Sequence, residues 1–559
     1  CSGPGHDSED LLALPDSVAD SADAADTADA AGAADVAAAV DEVFDPGDHP
    51  FRTCAVDTAF LADLYSSLSL RQRVGQHLAV GVEAGAGGGI SEKTRTRLAE
   101  LYAGGVYVSP VTGIAMGEPL QTARFVHDLK TTAFEASGIP LFVSCDQEGG
   151  ANAALNSLTG GTDTIGHMPI GATRAPRVAF EQHAIMGREL HSLGFNMDYG
   201  PVLDTLKSTR NGNTNTRAFS PDPDLNVLLG IAALTGLQSE GIVAVIKHFP
   251  GDGLTDGNTH QVYVSCEATR EELEATILKP FRAAIAYGAA ALMTIPARYT
   301  ALDPERSAIT SRVVNTELLR GELGYEGLII TDALGMAGVE IGLTEDEEPG
   351  LEALRAGADM LLYATTSAKD LQAALEGIEA ALADGSLDST EFEASTRRIL
   401  RSKMAHCLFE EPTTPDLDDE AAILAGLARP QDRELSAAHA RAAIVLLHDE
   451  GVLPLTGKRV LYVGPDTIFQ DPGSGWLNIV DQTFADAIAR HDPTLASVTY
   501  MLPMNVALEH ERVMALADAA DVIVLGTLQS RFSIEQQQLT EWLLESVATP
   551  VVHVILGVP

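Results

Sequence analysis

The sequence predicts an α/β protein in which parallel strands alternate with helices. Short apolar runs recur through the middle of the chain, and longer amphipathic stretches separate them. Short polar motifs follow several of these runs, which is where a parallel β/α fold carries its chemistry. A (β/α)8 barrel and a doubly wound sheet both satisfy this alternation, so periodicity alone leaves the two open.

Eight apolar runs are the predicted strands of this region. They lie at 76–82, 105–109, 141–145, 196–199, 243–247, 291–295, 328–331 and 360–363. Long periodic stretches predict helices at 174–193, 268–287 and 367–383. A charged helical stretch at 386–408 ends the domain, which we therefore place at 60–408.

A second α/β unit is predicted after a linker rich in Pro and Asp. We place the linker at 409–430 and a smaller α/β sandwich domain at 431–559. Its predicted strands are 443–447, 459–464, 497–501, 521–525 and 551–556, with a helix at 536–546. No helix follows to cover the last strand, so we expect this domain to lack its C-terminal part.

The amino-terminal segment 1–55 differs in composition from the rest. Residues 1–50 contain 13 Asp and Glu and neither Lys nor Arg, and Asp and Ala dominate 16–40. Such a segment cannot bury enough apolar surface to fold, which predicts a disordered tether. Cys1 stands where an exported bacterial lipoprotein is cut and acylated, so we expect lipidation there and a place in the cell envelope. An arbitrary boundary before an Ala-rich helix is the alternative.

Composition disfavours several classes of partner. Asp and Glu outnumber Lys and Arg by 79 to 36, and the formal charge of −43 repels nucleic acid and anionic lipid surfaces. No apolar run reaches the roughly 18 residues that a membrane span needs. A lipid anchor is therefore the one membrane contact that we expect. Neither a ligand cluster nor a dinucleotide motif occurs, which predicts no metal and no organic cofactor.

The four remaining cysteines, Cys54, Cys145, Cys266 and Cys407, are widely spaced and form no C-x-x-C pair. This spacing indicates neither a zinc site nor a dithiol redox site. Cys145 ends an apolar run and is expected to be buried. Export would permit disulfides, but the spacing leaves their pairing open.

The most informative segment is the loop that follows the strand at 243–247. It reads Lys247-His248-Phe249-Pro250-Gly251-Asp252-Gly253 and continues to Asn258-Thr259-His260. Charged Lys247 and His248 at the end of a buried strand are costly to desolvate, which favours a functional role over a simple turn. His260 follows by one loop length and can swing over whatever that pair holds.

This loop resembles the fingerprint of glycoside hydrolase family 3, particularly of its β-N-acetylhexosaminidase branch. Further segments resemble the family's other motifs, in the family's order: Asp146-Gln147-Glu148-Gly149-Gly150, then 196–204, Arg217-Ala218-Phe219-Ser220, and Gly324-Tyr325-Glu326-Gly327 leading to Thr331-Asp332-Ala333-Leu334-Gly335-Met336. The resemblance covers about 65–405. It implies glycoside hydrolysis and favours the (β/α)8 barrel over the doubly wound sheet.

The resemblance implies that Asp332 is the nucleophile of a retaining mechanism. Such a mechanism needs a carboxylate beneath the anomeric carbon and a proton donor beside the leaving oxygen. Asp332 ends the apolar run 328–331, which would hold it on rigid backbone. Capping of the next helix is the alternative role for this side chain.

By the same resemblance, His260 donates the proton. A His suits this role because its pKa of about 6.5 lets it give and recover a proton near neutrality. Asn258 replaces the family's orienting Asp; it can accept from a ring N–H but adds no negative charge. Asp252 and Asp256 are possible substitutes, and a catalytically impaired domain is the other interpretation.

Asp146, Arg217, Lys247 and His248 are the predicted sugar-binding residues. The resemblance implies that Asp146 accepts from ring hydroxyls, while the other three donate to hydroxyls or to an N-acetyl carbonyl. Ala151 departs from the family, whose Asp-x-Glu-Gly-Gly turn continues with Arg. The identity of the sugar is therefore left in doubt.

The sequence thus predicts an exported lipoprotein that acts as an exo-glycosidase on carbohydrate. We expect release of terminal β-linked N-acetylglucosamine, with retention, from cell-wall or chitin-type glycans. A β-glucosidase or glucan exohydrolase is the alternative, since such relatives share a Lys-His-Phe-x-Gly-Asp-Gly loop and take their acid/base from elsewhere. A saccharide-binding protein without activity is the second alternative, which Asn258 favours and Asp332 disfavours.

Overall fold

The computed structural model describes residues 51–555, except 52, 86–87, 110–117, 365–366, 466–467, 471–476, 480–483, 493, 502–503 and 529–532. Cys1 and the predicted tether up to residue 50 lie outside the described residues. Among the described residues, no helix combines the length and the apolar character needed to cross a membrane.

Eight parallel strands form the first sheet, and every predicted strand of this region is confirmed. They are β1 (Leu78–Val82), β2 (Gly105–Val108), β3 (Phe142–Cys145), β4 (Met197–Asp198), β5 (Val243–Phe249), β6 (Ala291–Thr294), β7 (Leu328–Thr331) and β8 (Leu361–Tyr363). Strands adjacent in the chain pair from β1 to β7, and β8 pairs with β1. A parallel bridge between Ile330 and Met360 joins β7 to the start of β8, so the sheet forms a (β/α)8 barrel.

Helices surround this barrel. They are α1 (Thr58–Ser67), α2 (Leu70–Gly75), α3 (Glu92–Leu101), α4 (Pro119–Ser137), α5 (His167–Thr173), α6 (Pro176–Ser192), α7 (Pro223–Ser239), α8 (Arg270–Ala275), α9 (Leu278–Tyr287), a π-helical segment (Val313–Glu322), α10 (Pro349–Ala356), α11 (Ala368–Asp384) and α12 (Ser389–Ala405). The predicted helices 174–193 and 367–383 correspond to α6 and α11. The charged stretch predicted at 386–408 is α12.

The predicted helix 268–287 is interrupted and becomes α8 and α9. The break at Thr276 has a physical reason in Pro280, which lacks an N–H and would clash inside a continuous helix. A new start at Leu278 puts Pro280 in the first turn, where the N–H has no intrahelical partner in any case. Gly288, with φ of 104°, then ends α9 in a left-handed conformation.

The barrel strands separate two apolar layers. Inside the barrel, Phe142, Tyr199, Val245 and Ile330 belong to one buried cluster. A larger cluster fills the space between the strands and the surrounding helices. Both faces of the strands are therefore buried, which explains why they read as continuous apolar runs rather than alternating ones.

A second, smaller sheet lies in the carboxy-terminal part. Its parallel strands are β9 (Val460–Pro465), β10 (Ala496–Tyr500), β11 (Val522–Thr527) and β12 (Val551–Ile555), in the order β10-β9-β11-β12. Short strands Ile468–Gln470 and Leu477–Ile479 form a separate antiparallel pair. Helices α13 (Glu420–Ala425), α14 (Pro430–Ala442), α15 (Phe484–Ala489), α16 (Val506–Ala517) and α17 (Ile534–Ser546) complete this part.

The predicted strand 443–447 is wrong, because Ala443 lies in a turn and 444–447 form no regular structure. The side chains at 444–447 are 60–77% exposed, so no sheet in the described residues takes up these apolar positions. The predicted linker contains α13, and α14 packs on α6 through an ion pair of 3.2 Å between Asp432 and Arg188.

A disulfide joins the segment before α1 to the end of α12. Cys54 and Cys407 are bonded across 353 residues of chain, with their Cα atoms 5.2 Å apart. The backbone N–H of Cys54 also donates to the Ala405 carbonyl at 2.8 Å. Cys145 and Cys266 are buried free thiols, as expected for Cys145.

Candidate active site

The predicted site residues lie at the carboxyl ends of the barrel strands. Asp146 directly follows β3, Lys247 and His248 lie near the end of β5, and Asp332 directly follows β7. Arg217 ends a short 3-10 turn, Asn215–Arg217, after β4. The barrel therefore brings together side chains that are far apart in the sequence.

The charged side chains of this site form a continuous row of ion pairs. Lys247 Nζ lies 2.6 Å from an Asp146 oxygen and 2.7 Å from a Glu148 oxygen. Arg217 donates to both oxygens of Glu148, at 2.7 and 2.8 Å. The Tyr107 hydroxyl donates to the second Asp146 oxygen at 2.8 Å. Three of the predicted sugar-binding residues are therefore held rigidly by one another and by Glu148.

Charge pairing, rather than burial, sets the ionisation of this row. Burial by itself would raise the pKa of Glu148, but Arg217 and Lys247 hold that pKa well below its ordinary value. Burial would lower the pKa of Lys247, but Asp146 and Glu148 raise it above its ordinary value. Lys247 is therefore cationic and Glu148 anionic at neutral pH, although the side chains are only 2% and 1% exposed.

His248 belongs to a second buried group. Its Nδ1 lies 2.7 Å from an Asp204 oxygen, and its Nε2 lies 3.3 Å from an Arg217 nitrogen. The other Asp204 oxygen accepts the backbone N–H groups of His248 and Asp252. Burial first, and then the charge of Asp204, raise the pKa of Asp252 to about 6. This group fixes the ring orientation of His248 beside Arg217.

Asp332 is held by backbone contacts at the end of β7. Its N–H donates to the Thr294 carbonyl at 3.0 Å, and one of its carboxylate oxygens accepts the Ala333 N–H at 2.7 Å. The side chain is half-buried. No α-helix follows within the next few residues, only the 3-10 turn Ala337–Glu340. This arrangement does not support the alternative role of Asp332 as a helix cap.

His260 lies in the irregular loop after β5, and part of its surface is exposed. Burial lowers the pKa of His260, while the negative charge of Asp332 raises it and Arg217 lowers it. The Asn258 side-chain oxygen accepts the backbone N–H of His260 at 2.9 Å. Asn258 therefore shapes the turn that carries His260.

Asp252 and Asp256, the two possible substitutes for the family's orienting Asp, form hydrogen bonds and ion pairs with other side chains. Asp256 is exposed and pairs with Arg210 at 2.6 Å and with the Ser208 hydroxyl at 2.5 Å. Asp252 is buried and accepts from Asn213 and Thr255 at 2.9 and 2.5 Å. Each carboxylate thus stabilises the loop by bonds other than one to the His260 ring.

Sequence reasoning missed several members of this group. Glu148 lies within the motif at 146–150, for which the sequence predicts a role only for Asp146. Asp204 ends the segment 196–204, and its signal in the sequence is an acidic residue after a predicted strand. Tyr107 lies within β2 and belongs to no local motif, so only the fold reveals its contact with Asp146.

The described residues bring Cys54, Cys407 and Glu410 within the range of a metal site. Both thiols of that group are consumed by the disulfide, so they cannot bind a metal as thiolates. The disulfide therefore leaves Glu410 as one exposed carboxylate beside an apolar cross-link.

The fold and the site together are those of a (β/α)8-barrel enzyme. The polar residues of the site lie at the carboxyl ends of the strands, as in other enzymes of this fold. Residues 69–402, more than half of the chain, match the model of the glycosyl hydrolase family 3 N-terminal domain. The chain belongs to this family.

The chain is similar to several named proteins. Beta-hexosaminidase A of Pseudoalteromonas piscicida is 33% identical over 337 residues, which are 57% of this chain and 55% of that protein. A "Beta-N-acetylglucosaminidase/beta-glucosidase" of Cellulomonas fimi is 28% identical over 71% of this chain and 73% of its own length. The solved family 3 β-N-acetylglucosaminidase of Paenibacillus sp. str. FPU-7 superposes with a TM-score of 0.79, at 29% identity, over 88% of this chain and 90% of that one. The match to the first relative thus spans about half of its length.

Proposed function

We propose that this protein is an exo-acting, retaining β-N-acetylglucosaminidase that releases terminal β-linked N-acetylglucosamine. The observation that supports this most is the placement of Asp332 directly after β7 and of His260 in the loop that follows β5, both beyond the carboxyl ends of barrel strands. A carboxylate and a proton donor are the two groups that retaining hydrolysis requires. The names of the Cellulomonas fimi and Paenibacillus relatives support N-acetylglucosamine as the sugar.

The proposed reaction has two steps. In the first step, an Asp332 oxygen attacks the anomeric carbon while protonated His260 gives its proton to the leaving oxygen, and the glycosidic bond breaks. In the second step, His260 takes a proton from water, and the water oxygen displaces Asp332 from the anomeric carbon. Both groups return to their starting states.

The buried row of charges would hold the sugar. Lys247 has three N–H donors, and two of them go to Asp146 and Glu148. The third can donate to a ring hydroxyl, and the Asp146 carboxylate can accept from one. Because these groups are already oriented by each other, binding costs little further ordering.

β-Glucosidase activity is the second candidate function. The hairpin turn between Gln147–Gly149 and Asn152–Ala153 carries exposed Ala151, so it offers no cationic donor at that position. The Cellulomonas fimi relative is named for both activities. Comparing kcat/KM on aryl β-N-acetylglucosaminide with that on aryl β-glucoside decides between the two.

Asp332→Asn tests the mechanism directly. Removing the nucleophile should lower kcat on an aryl β-N-acetylglucosaminide by about 10⁴-fold or more. Asp346→Asn is the control. It makes the same change at an exposed carboxylate in the segment between β7 and α10, and it should leave kcat unchanged. A fluorinated N-acetylglucosamine that is turned over slowly should add its mass at Asp332. Near wild-type turnover by Asp332→Asn would overturn the assignment.

We also propose that the protein is exported and anchored by lipid at Cys1. The Cys54–Cys407 disulfide supports export, since disulfides persist in oxidising compartments. The acidic segment up to residue 50 would then act as the tether between the anchor and the barrel.

A further inference from the structure

The His260 loop is anchored at both ends. At its start, the Gly257 carbonyl accepts the Gly212 N–H at 3.0 Å, and the Gly257 N–H donates to the Arg210 carbonyl at 3.3 Å. At its end, the buried Val264 carbonyl accepts the Arg298 N–H, and Ser265–Cys266 pairs with Arg298–Tyr299. The segment 258–263 between these anchors therefore has fixed ends and carries His260 near its middle.

Tyr263 connects this segment to the nucleophile side of the site. Its hydroxyl donates to a Glu340 oxygen at 3.0 Å. Tyr263 follows His260 by three residues, and Glu340 follows Asp332 by eight. The bond therefore joins the loop of the proposed proton donor to the loop of the proposed nucleophile.

Glu340 lies on a turn that cannot easily shift. Val339 beside it is fully buried, and its N–H donates to the Met336 carbonyl at 3.1 Å. A Cβ built on Gly338 would come within 1.9 Å of the Pro296 carbonyl oxygen, so this turn packs directly on the backbone after β6. Tyr263 itself is 64% exposed, and its hydroxyl reaches Glu340 at the surface of the protein.

We infer that the Tyr263–Glu340 hydrogen bond is a bridge that fixes the His260 loop relative to the loop that carries Asp332, and that Tyr263 is a positioning residue for proton donation. This inference rests on the proposed function. A small displacement of a proton donor weakens catalysis strongly, because general acid catalysis requires hydrogen-bond geometry to the leaving oxygen. The bridge therefore matters most for leaving groups that need protonation.

The test compares Tyr263→Phe, Glu340→Ala and the double variant on methyl and 4-nitrophenyl N-acetyl-β-glucosaminides. Each single variant should lower kcat on the methyl glycoside by about three- to tenfold, as expected for one hydrogen bond, with little change in KM. On the nitrophenyl glycoside, whose leaving group needs no proton, kcat should stay near wild type. The double variant should be no worse than either single one.

Two further variants separate positioning from general stability. Glu340→Gln keeps an acceptor oxygen and should retain most of the activity that Glu340→Ala loses. Glu345→Ala removes an exposed carboxylate nearby and should behave as wild type on both substrates. Equal losses on both substrates, additive losses in the double variant, or a wild-type response of Tyr263→Phe on the methyl glycoside would overturn the bridge. A wild-type protein inactive on both substrates would overturn the proposed function, and the bridge with it.

Discussion

At the scale of single residues, the surroundings of His260 have the most direct consequence for catalysis. Burial lowers the pKa of His260, and the charge of Asp332 offsets part of this effect. A general acid acts only while it is protonated. We therefore expect kcat/KM on substrates with poor leaving groups to fall as the pH rises through a value below about 6.5.

Asn258→Asp tests this expectation. An Asp at 258 keeps the oxygen that accepts the His260 N–H, and it adds a negative charge that raises the pKa of His260. The fall in kcat/KM on a methyl glycoside should move to higher pH, with higher activity at neutrality. His260→Ala should lose about 10²–10⁴-fold on that substrate and much less on a nitrophenyl glycoside. If both variants match wild type at every pH, the proton comes from another residue.

At the scale of elements, the cross-link between Cys54 and the end of α12 is the feature with a measurable effect. It closes a loop of 353 residues, for which chain entropy gives at most about 6 kcal/mol of stabilisation of the barrel. We expect reductant to lower the Tm of the wild-type protein, and Cys54→Ser/Cys407→Ser to match the reduced protein. Cys266→Ala, which removes a buried free thiol, should keep the response to reductant. A wild-type Tm that reductant does not change would contradict a stabilising disulfide.

At the scale of the whole molecule, the barrel and the acidic amino-terminal segment should act independently. The site residues that the structure describes all belong to the barrel domain, so removing 2–50 should leave kcat/KM on small soluble glycosides unchanged. Cys1→Ser in the full-length protein should move it from the membrane fraction to the soluble fraction, with activity retained. Wild-type protein that is wholly soluble and carries no lipid mass on Cys1 would contradict the anchor.

Much of the first domain could be predicted because its signals are local. Most barrel strands are short apolar runs buried on both faces, so their positions can be found without knowing their neighbours. Asp146, Lys247 and Asp332 could be singled out because each ends or follows such a run. The one interrupted helix also has a local cause, since Pro280 stands within it.

Only the tertiary structure decided which of these residues meet. Lys247 is separated from Asp146 by 101 residues, and Cys54 from Cys407 by 353, so no local pattern identifies either pair. The same holds for Tyr263 and Glu340, whose contact depends on how two barrel loops are placed. The stretch 444–447 depends on tertiary structure in the same way. Its apolar run predicts a strand, but such a run forms a strand only where a neighbouring strand is free to pair with it. Sequence therefore determined the elements and the chemical groups, and the closing of the barrel determined their partners.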